Sequence, residues 1–175
     1  VKVVVTAGGT REPIDPVRFI GNRSTGKQGI ALANAAHNRG AEVTLIAANF
    51  AISQLQGIKV VSVETTAQMQ SALNEHFDQS NILIMSAAVA DARPIEVSEN
   101  KIKKNALLSI ELELNPDLLA DLASRKADQV MVGFAAETRD HLQEARRKLE
   151  AKGLDVIYVN DVSGGAIFGQ DTTMG

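Results

Sequence analysis

The sequence contains no cysteine, which removes disulfide frameworks, thiolate metal sites and thiol nucleophiles and fits a reducing compartment. It contains no apolar run near the roughly 18 residues that would read as a membrane span, and no basic-then-apolar leader at Val1. No membrane association is therefore expected, and a cytoplasmic location is. An excess of positive charge is also missing. The formal net charge of −3 argues against a nucleic-acid surface. An anionic small substrate stays open where basic residues concentrate locally. They do: Arg11, Arg18, Arg23 and Lys27 share one segment, and Lys101, Lys103 and Lys104 share another.

What is present is an ordinary globular composition, 45% apolar and 22% charged over 175 residues, which suits one domain with a single sizeable core. The start on Val1-Lys2-Val3-Val4-Val5 fits either a trimmed chain or a domain taken from a longer one. Strands are expected at 1–6, 42–48, 58–63, 81–90, 129–135 and 154–159, from β-branched or near-continuous apolar runs. The alternating 107–114 reads as a further strand with one wet face. Helices are expected at 27–39, stopped by Gly40, and after Thr65 or Thr66, with Met69, Leu73 and Phe77 at helical spacing. Another should begin with Asn115 as cap and Pro116 in its first turn. The last, 140–152, should carry Leu142, Ala145 and Leu149 inward and a Glu144–Lys148 pair outward. Strands alternating with helices call for an α/β, Rossmann-like, doubly wound and mostly parallel sheet with helices on both faces.

In such sheets ligands sit beyond the carboxyl ends of the strands, so the segments after strands should carry the chemistry. The first, 7–29, is unusually long for a loop in a compact domain, and loops of that kind are usually functional. Gly8, Gly9 and Thr10 follow the first strand, and Ser24-Thr25-Gly26-Lys27 opens the first helix. Glycines let backbone amides approach phosphate oxygens, a helix start adds a favourable dipole, and arginine supplies planar donors to carboxylate or phosphate. A structural Gly-Gly turn with solvent-facing arginines is the bland alternative. The stretch Gly21 to Lys27 has P-loop spacing, but Gln28 stands where a hydroxyl should bind metal, and it lies far from its strand. It is rejected as a Walker motif and kept as an anion-binding helix start.

The second segment ends a buried strand with small residues, Ala87 and Ala88 among them, and one carboxylate, Asp91. Small residues let a flat base lie on the backbone. Asp91 fits either a magnesium ion accompanying a nucleotide or a turn. Lys101-Ile102-Lys103-Lys104 fits a phosphate flap or plain solvated surface. Phe134 fits core or a base-stacking platform, and Asn160-Asp161 is equally ambiguous. His37, His76 and His141 fall in expected helices without metal spacing.

These segments, TAGGTREPIDPVRFIGNRSTGKQG at 6–29, SAAVAD at 86–91, KIKK at 101–104, GFAAET at 133–138 and VND at 159–161, together resemble phosphopantothenoylcysteine synthetase in its bacterial form. The resemblance implies a ligase joining 4′-phosphopantothenate to L-cysteine in coenzyme A biosynthesis. It implies CTP as co-substrate with Mg²⁺, an acyl-cytidylate intermediate, a homodimer and a fused or cooperating decarboxylase domain. Carried over by position, Asn22 handles the acyl-cytidylate and Lys101 faces developing phosphate charge, as catalytic residues. Arg18 and Arg11 are assigned to the substrate. Gly8, Gly9, Thr10, Ser24, Thr25, Gly26, Lys27, Ala87, Ala88, Asp91, Lys101, Lys103 and Phe134 are assigned to the nucleotide, with Asp91 also at the metal. Thr25 and Gln28 depart from the family's usual Ser and Met, Arg23 adds charge beside Asn22, and 49–56 lacks the expected proline-rich look. The family continues past this end with another strand and helix, so 1–175 is expected to be one nucleotide-binding ligase domain lacking those elements.

An NAD(P)-dependent oxidoreductase fares worse. No G-x-G-x-x-G follows the first strand, and the second ends in Ala47-Ala48-Asn49 without the ribose-binding acid. Tyr158 also lacks a lysine four residues on. A nucleotide-binding module without catalysis is the other rival, predicting CTP binding without pyrophosphate release.

Overall fold

A computed structural model describes residues 1–51, 55–106, 109–137 and 141–161. The β-branched opening forms β1 (Lys2–Gly8), buried on both faces from Val3 onward. Within the long polar excursion that follows, β2 (Arg11–Pro13) and β3 (Phe19–Gly21) pair antiparallel as a small hairpin. Then come α1 (Lys27–His37), β4 (Glu42–Ala48), β5 (Lys59–Val63), α2 (Thr66–His76) and β6 (Ile82–Met85). A second ribbon joins β7 (Ala92–Pro94) to β8 (Leu112–Leu114). The chain closes with α3 (Leu118–Ala123), β9 (Val130–Glu137), α4 (His141–Ala151) and β10 (Val156–Asp161).

The central sheet has six strands in the order β10-β9-β6-β1-β4-β5, all parallel. From the other edge, the chain order of these strands reads third, second, first, fourth, fifth, sixth. This is the doubly wound order, with its reversal between β1 and β6. Alternation along each strand feeds two cores. Val3, Val5, Ala7, Val43 and Leu45 pack towards α1. Val4, Ile46, Leu83 and Met131 pack towards Met69 and Leu73 of α2 and Leu118 and Leu122 of α3. No helix of the described residues is long and apolar enough to cross a membrane.

Local chemistry sets the element ends. Thr65 caps α2 in a reciprocal capping box with Gln68, which satisfies two otherwise orphan donors. Gly29 lies so close to β1 that an added Cβ would stand 2.4 Å from the Ala7 Cβ, which is how α1 comes to lie flat on the sheet.

Three expectations need correction. The apolar run 81–90 is strand only to Met85, because Thr6 Oγ1 accepts from Ala87 N and pulls the chain off the ladder. The cap of α3 is Asp117, whose carboxylate accepts from Leu119 N and Ala120 N, and the helix starts at Leu118. Asn115 is spent elsewhere. Of the alternating run 107–114, residues 107 and 108 lie outside the described residues and strand covers only Leu112–Leu114. Leu112 and Leu114 are exposed, since β8 belongs to the ribbon and not to the sheet. In α4, Ala145 is buried and Leu149 packs on the core as expected. The side chains of Leu142, Glu144, His141, Asn160 and Asp161 lie outside what is described.

Candidate active site

The excursion 7–29 and the segment after β6 are sewn together by backbone and buried hydroxyls. Ala88 N donates to Gly8 O at 2.8 Å, Thr10 N to Ala88 O at 3.2 Å, and Ala90 N to Thr10 Oγ1 at 2.8 Å. Gly8 (φ 85°) has no room for a Cβ, which would sit 2.0 Å from Ala48 O. Asn49, in the left-handed region at φ 55°, donates through its amide to Gly9 O and Glu64 O. The residue at the ribose-acid position thus serves as a clamp on the glycine turn.

Beneath this turn runs a buried polar network. Glu12, 2% exposed, accepts from Thr66 N at 2.9 Å and Thr66 Oγ1 at 2.7 Å, adding a carboxylate to the N-terminus of α2, where negative charge is favoured. Thr66 Oγ1 lies 3.2 Å from Thr10 Oγ1, and Asn115 Nδ2 reaches both Thr66 Oγ1 and Ala90 O. Thr10 therefore faces inward.

A cleft of about 530 Å³ opens beyond the carboxyl ends of β6 and β9, beside the sheet's reversal point. That size suits a nucleotide-scale ligand. One wall is the small-residue run Ala87 to Ala90 with Asp91, Phe134 adds an aromatic surface, and Asn22 stands at the rim. Asn22 is placed by donating from Nδ2 to Val89 O at 3.1 Å. The Phe134 ring is steadied by Tyr158, 5.5 Å between centroids. The lining also takes in Asn115 to Leu119, Lys148 of α4 and Lys152 just past its end. Lys152 pairs with Asp117 at 3.1 Å.

A family model, the DNA/pantothenate metabolism flavoprotein C-terminal domain, matches residues 1–174. The chain belongs to this family. It is 48% identical over 184 residues to the coenzyme A biosynthesis bifunctional protein CoaBC of Mycolicibacterium smegmatis, covering 98% of this chain and 44% of that protein. Against CoaBC of Bacillus subtilis the identity is 47%, covering 98% of this chain and 43% of that protein. The chain thus spans less than half the length of these curated relatives. Among solved structures, the C-terminal domain of a CoaBC superposes with a TM-score of 0.83 at 40% identity, covering 92% of this chain and 77% of that one. The DNA/pantothenate metabolism flavoprotein from Streptococcus pneumoniae does so with 0.81 at 26% identity, covering 93% and 82%.

In this chain the residues singled out from sequence separate into groups. Asn22, Ala87, Ala88, Asp91 and Phe134 meet at the cleft. Gly8, Gly9 and Thr10 form the turn behind it. Ser24 and Thr25 lead into α1, where Gly26 stands at the N-cap with φ 74° and no side-chain cap bond. Lys27, the first residue of α1, is exposed. Arg11 lies 4.5 Å over the Phe19 ring of the hairpin. Arg18 pairs with Asp15 at 2.9 Å. Lys101 and Lys103 are exposed and are not among the cleft's lining residues. Lys148, expected on the outward face of α4, lines the cleft instead. Among the described residues no three His, Asp or Glu side chains cluster as a metal site. Asp91, one exposed carboxylate at a cleft, fits a magnesium ion that keeps its waters and arrives with phosphate ligands.

Asp15 was not singled out from sequence, yet it joins the Arg18 turn to the lysine segment. Its carboxylate is fully shielded and accepts from Val17 N and Arg18 N at 2.8 Å each, and from Ile102 N at 3.1 Å. Burial alone would push its carboxyl up. The backbone donors Val17, Ile102 and Arg18, together with the Arg18 charge, outweigh that and hold it below the usual range. Glu12, Asn49, Asn115, Lys148 and Lys152 were also missed. Only the last two had a signal, their spacing on one helical face.

Proposed function

We propose that the chain is the ligase domain that joins 4′-phosphopantothenate to L-cysteine, with CTP activating the carboxylate as an acyl-cytidylate and releasing pyrophosphate. A carboxylate is a poor acyl donor, and esterification to a nucleotide supplies a leaving group. What remains for the protein is positioning and stabilisation of charge. The observation that carries this reading is the meeting of Asn22, Asp91, Phe134 and the alanine wall at one cleft, in a chain of this family.

In this reading the alanine wall and Phe134 receive the base, and Lys148 and Lys152 add positive charge for phosphates. The uncapped N-terminus of α1, with no acidic residue in its first turn, favours an anion. Magnesium would supply charge neutralisation at the phosphates from Asp91. The Asn22 amide faces the acyl centre, and Arg18 and Arg11 hold the acid. The hairpin and the β7–β8 ribbon expose Val17, Phe19, Ile95, Val97, Leu112 and Leu114, an apolar surface that fits a homodimer. A decarboxylase domain is the partner that the resemblance implies.

The test is pyrophosphate release from CTP and phosphopantothenate, with and without cysteine. Release in both cases, with ligated product and CMP only when cysteine is present, supports the reading. CTP binding without any pyrophosphate would leave a binding module in its place.

A further inference from the structure

The segment 101–104 carries three lysines, all exposed, and its local bond runs from Ala106 N to Lys103 O, past Lys101 and Ile102. What fixes Ile102 lies far away in the chain. Asp15 Oδ2 accepts from both Ile102 N at 3.1 Å and Arg18 Nη1 at 2.9 Å. Arg18 Nη1 in turn donates to Ile102 O at 3.3 Å. Both backbone polar groups of Ile102 are thus held by one ion pair. A further backbone bond, Ser98 N to Ile14 O at 3.0 Å, ties the approach to the segment to the same turn. Asp15 Oδ1 meanwhile closes the turn by accepting from Val17 N and Arg18 N. The two oxygens divide the work. One shapes the turn that carries Arg18, and the other joins that turn to the residue next to Lys101.

We propose that Asp15 is a positioning residue that latches the lysine segment to the Arg18 turn, so that the Arg18 guanidinium and the Lys101 ammonium meet ligand as one preset unit. Charge-assisted bonds of this kind are stronger than neutral ones, and presetting two cations removes ordering cost from the reacting complex. The catalytic part of this inference rests on the ligase reading, whereas the latch itself does not.

Asp15→Asn separates the two oxygens. The amide oxygen keeps the bonds to Val17 and Arg18 N–H, while the amide NH₂ turns a donor against the Arg18 and Ile102 donors. Amide hydrogen exchange on the ligand-free chain reads the latch directly. In the parent, the Ile102 amide should exchange at least tenfold more slowly than those of Lys101 and Lys103. In Asp15→Asn that protection should vanish while β1 and α1 keep theirs. Equal exchange at 101, 102 and 103 in the parent would overturn the latch even if the variant failed to fold.

Pyrophosphate release then tests the catalytic part. Asp15→Asn and Lys101→Ala should each slow it about tenfold or more, and the double variant should be no slower than the slower single one. Multiplying effects would reduce Asp15 to a structural residue independent of Lys101 and overturn the proposal. A parent that protects Ile102 yet releases no pyrophosphate would refute the ligase reading and leave the latch standing.

Discussion

Asn22 lines the cleft with its amide donating to Val89 O, and the proposed reaction gives that uncharged group the acyl centre. Asn22→Ala is expected to leave CTP affinity within about twofold and to lower ligated product by about 10²-fold, the usual cost of one oxyanion donor. Rapid-quench measurement should find pyrophosphate released ahead of product, and equal loss of both would remove Asn22 from the second step. A different residue-scale expectation concerns Asp155. Its carboxyl is held below the usual range by a hydrogen bond from Lys126 and by Met131 N, against burial. A carboxylate whose folded pKa is depressed contributes stability that is present above its unfolded value of about 3.9 and is lost as the pH falls through the folded value. The melting temperature of the parent should therefore exceed that of Asp155→Asn at pH 7, and the gap should narrow below about pH 3.9. A gap unchanged down to pH 2 would mean that the bond to Met131, not the charge, is what matters.

At the scale of elements, α1 shows packing overriding propensity. Alanine at a helix interior is worth about 1 kcal/mol over glycine. At position 29, however, its Cβ would stand 2.4 Å from that of Ala7 and 3.0 Å from Thr6 O. Overpacking of that kind costs about 1–3 kcal/mol, so Gly29→Ala should lower the urea midpoint despite the better helix former. A raised midpoint would show that α1 can lift from β1 at little cost. The start of α2 shows a second override. Thr65 and Gln68 form a cap legible from local sequence, but Glu12, from the hairpin, adds a carboxylate to the same helix end. Helix α2 and the excursion are therefore fastened at a point that neither segment announces.

For the whole molecule, the six parallel strands place the carboxyl ends of β6 and β9 beside the reversal in strand order, and the cleft opens there because the crossovers diverge. The two antiparallel ribbons stand outside this frame and, among the described residues, carry most of the exposed large apolar side chains. If they mediate a homodimer, Leu112→Glu should shift the parent's sedimentation from dimer to monomer at micromolar concentration while leaving the far-ultraviolet circular dichroism unchanged. A parent that sediments as a monomer at all concentrations would remove the dimer.

Hydrophobic period and capping chemistry settle local matters, and those were readable along the chain. A buried first strand, which holds from Val3 onward, Thr65 as a cap, Met69, Leu73 and Phe77 on one face, and the α/β alternation all follow from residues near one another. The meeting of Asn22, Asp91 and Phe134 is a property of segments far apart in sequence, and family likeness, not spacing, anticipated it. Where side chains answered to distant partners, local reading failed. Asn115 left its helix to bind Thr66 and Ala90, Leu112 and Leu114 went to an outlying ribbon, and Asp15 reached Ile102. Short-range order is written in neighbouring residues, whereas a buried polar atom takes whichever partner the finished fold brings within about 3 Å, and only the tertiary structure decides which that is.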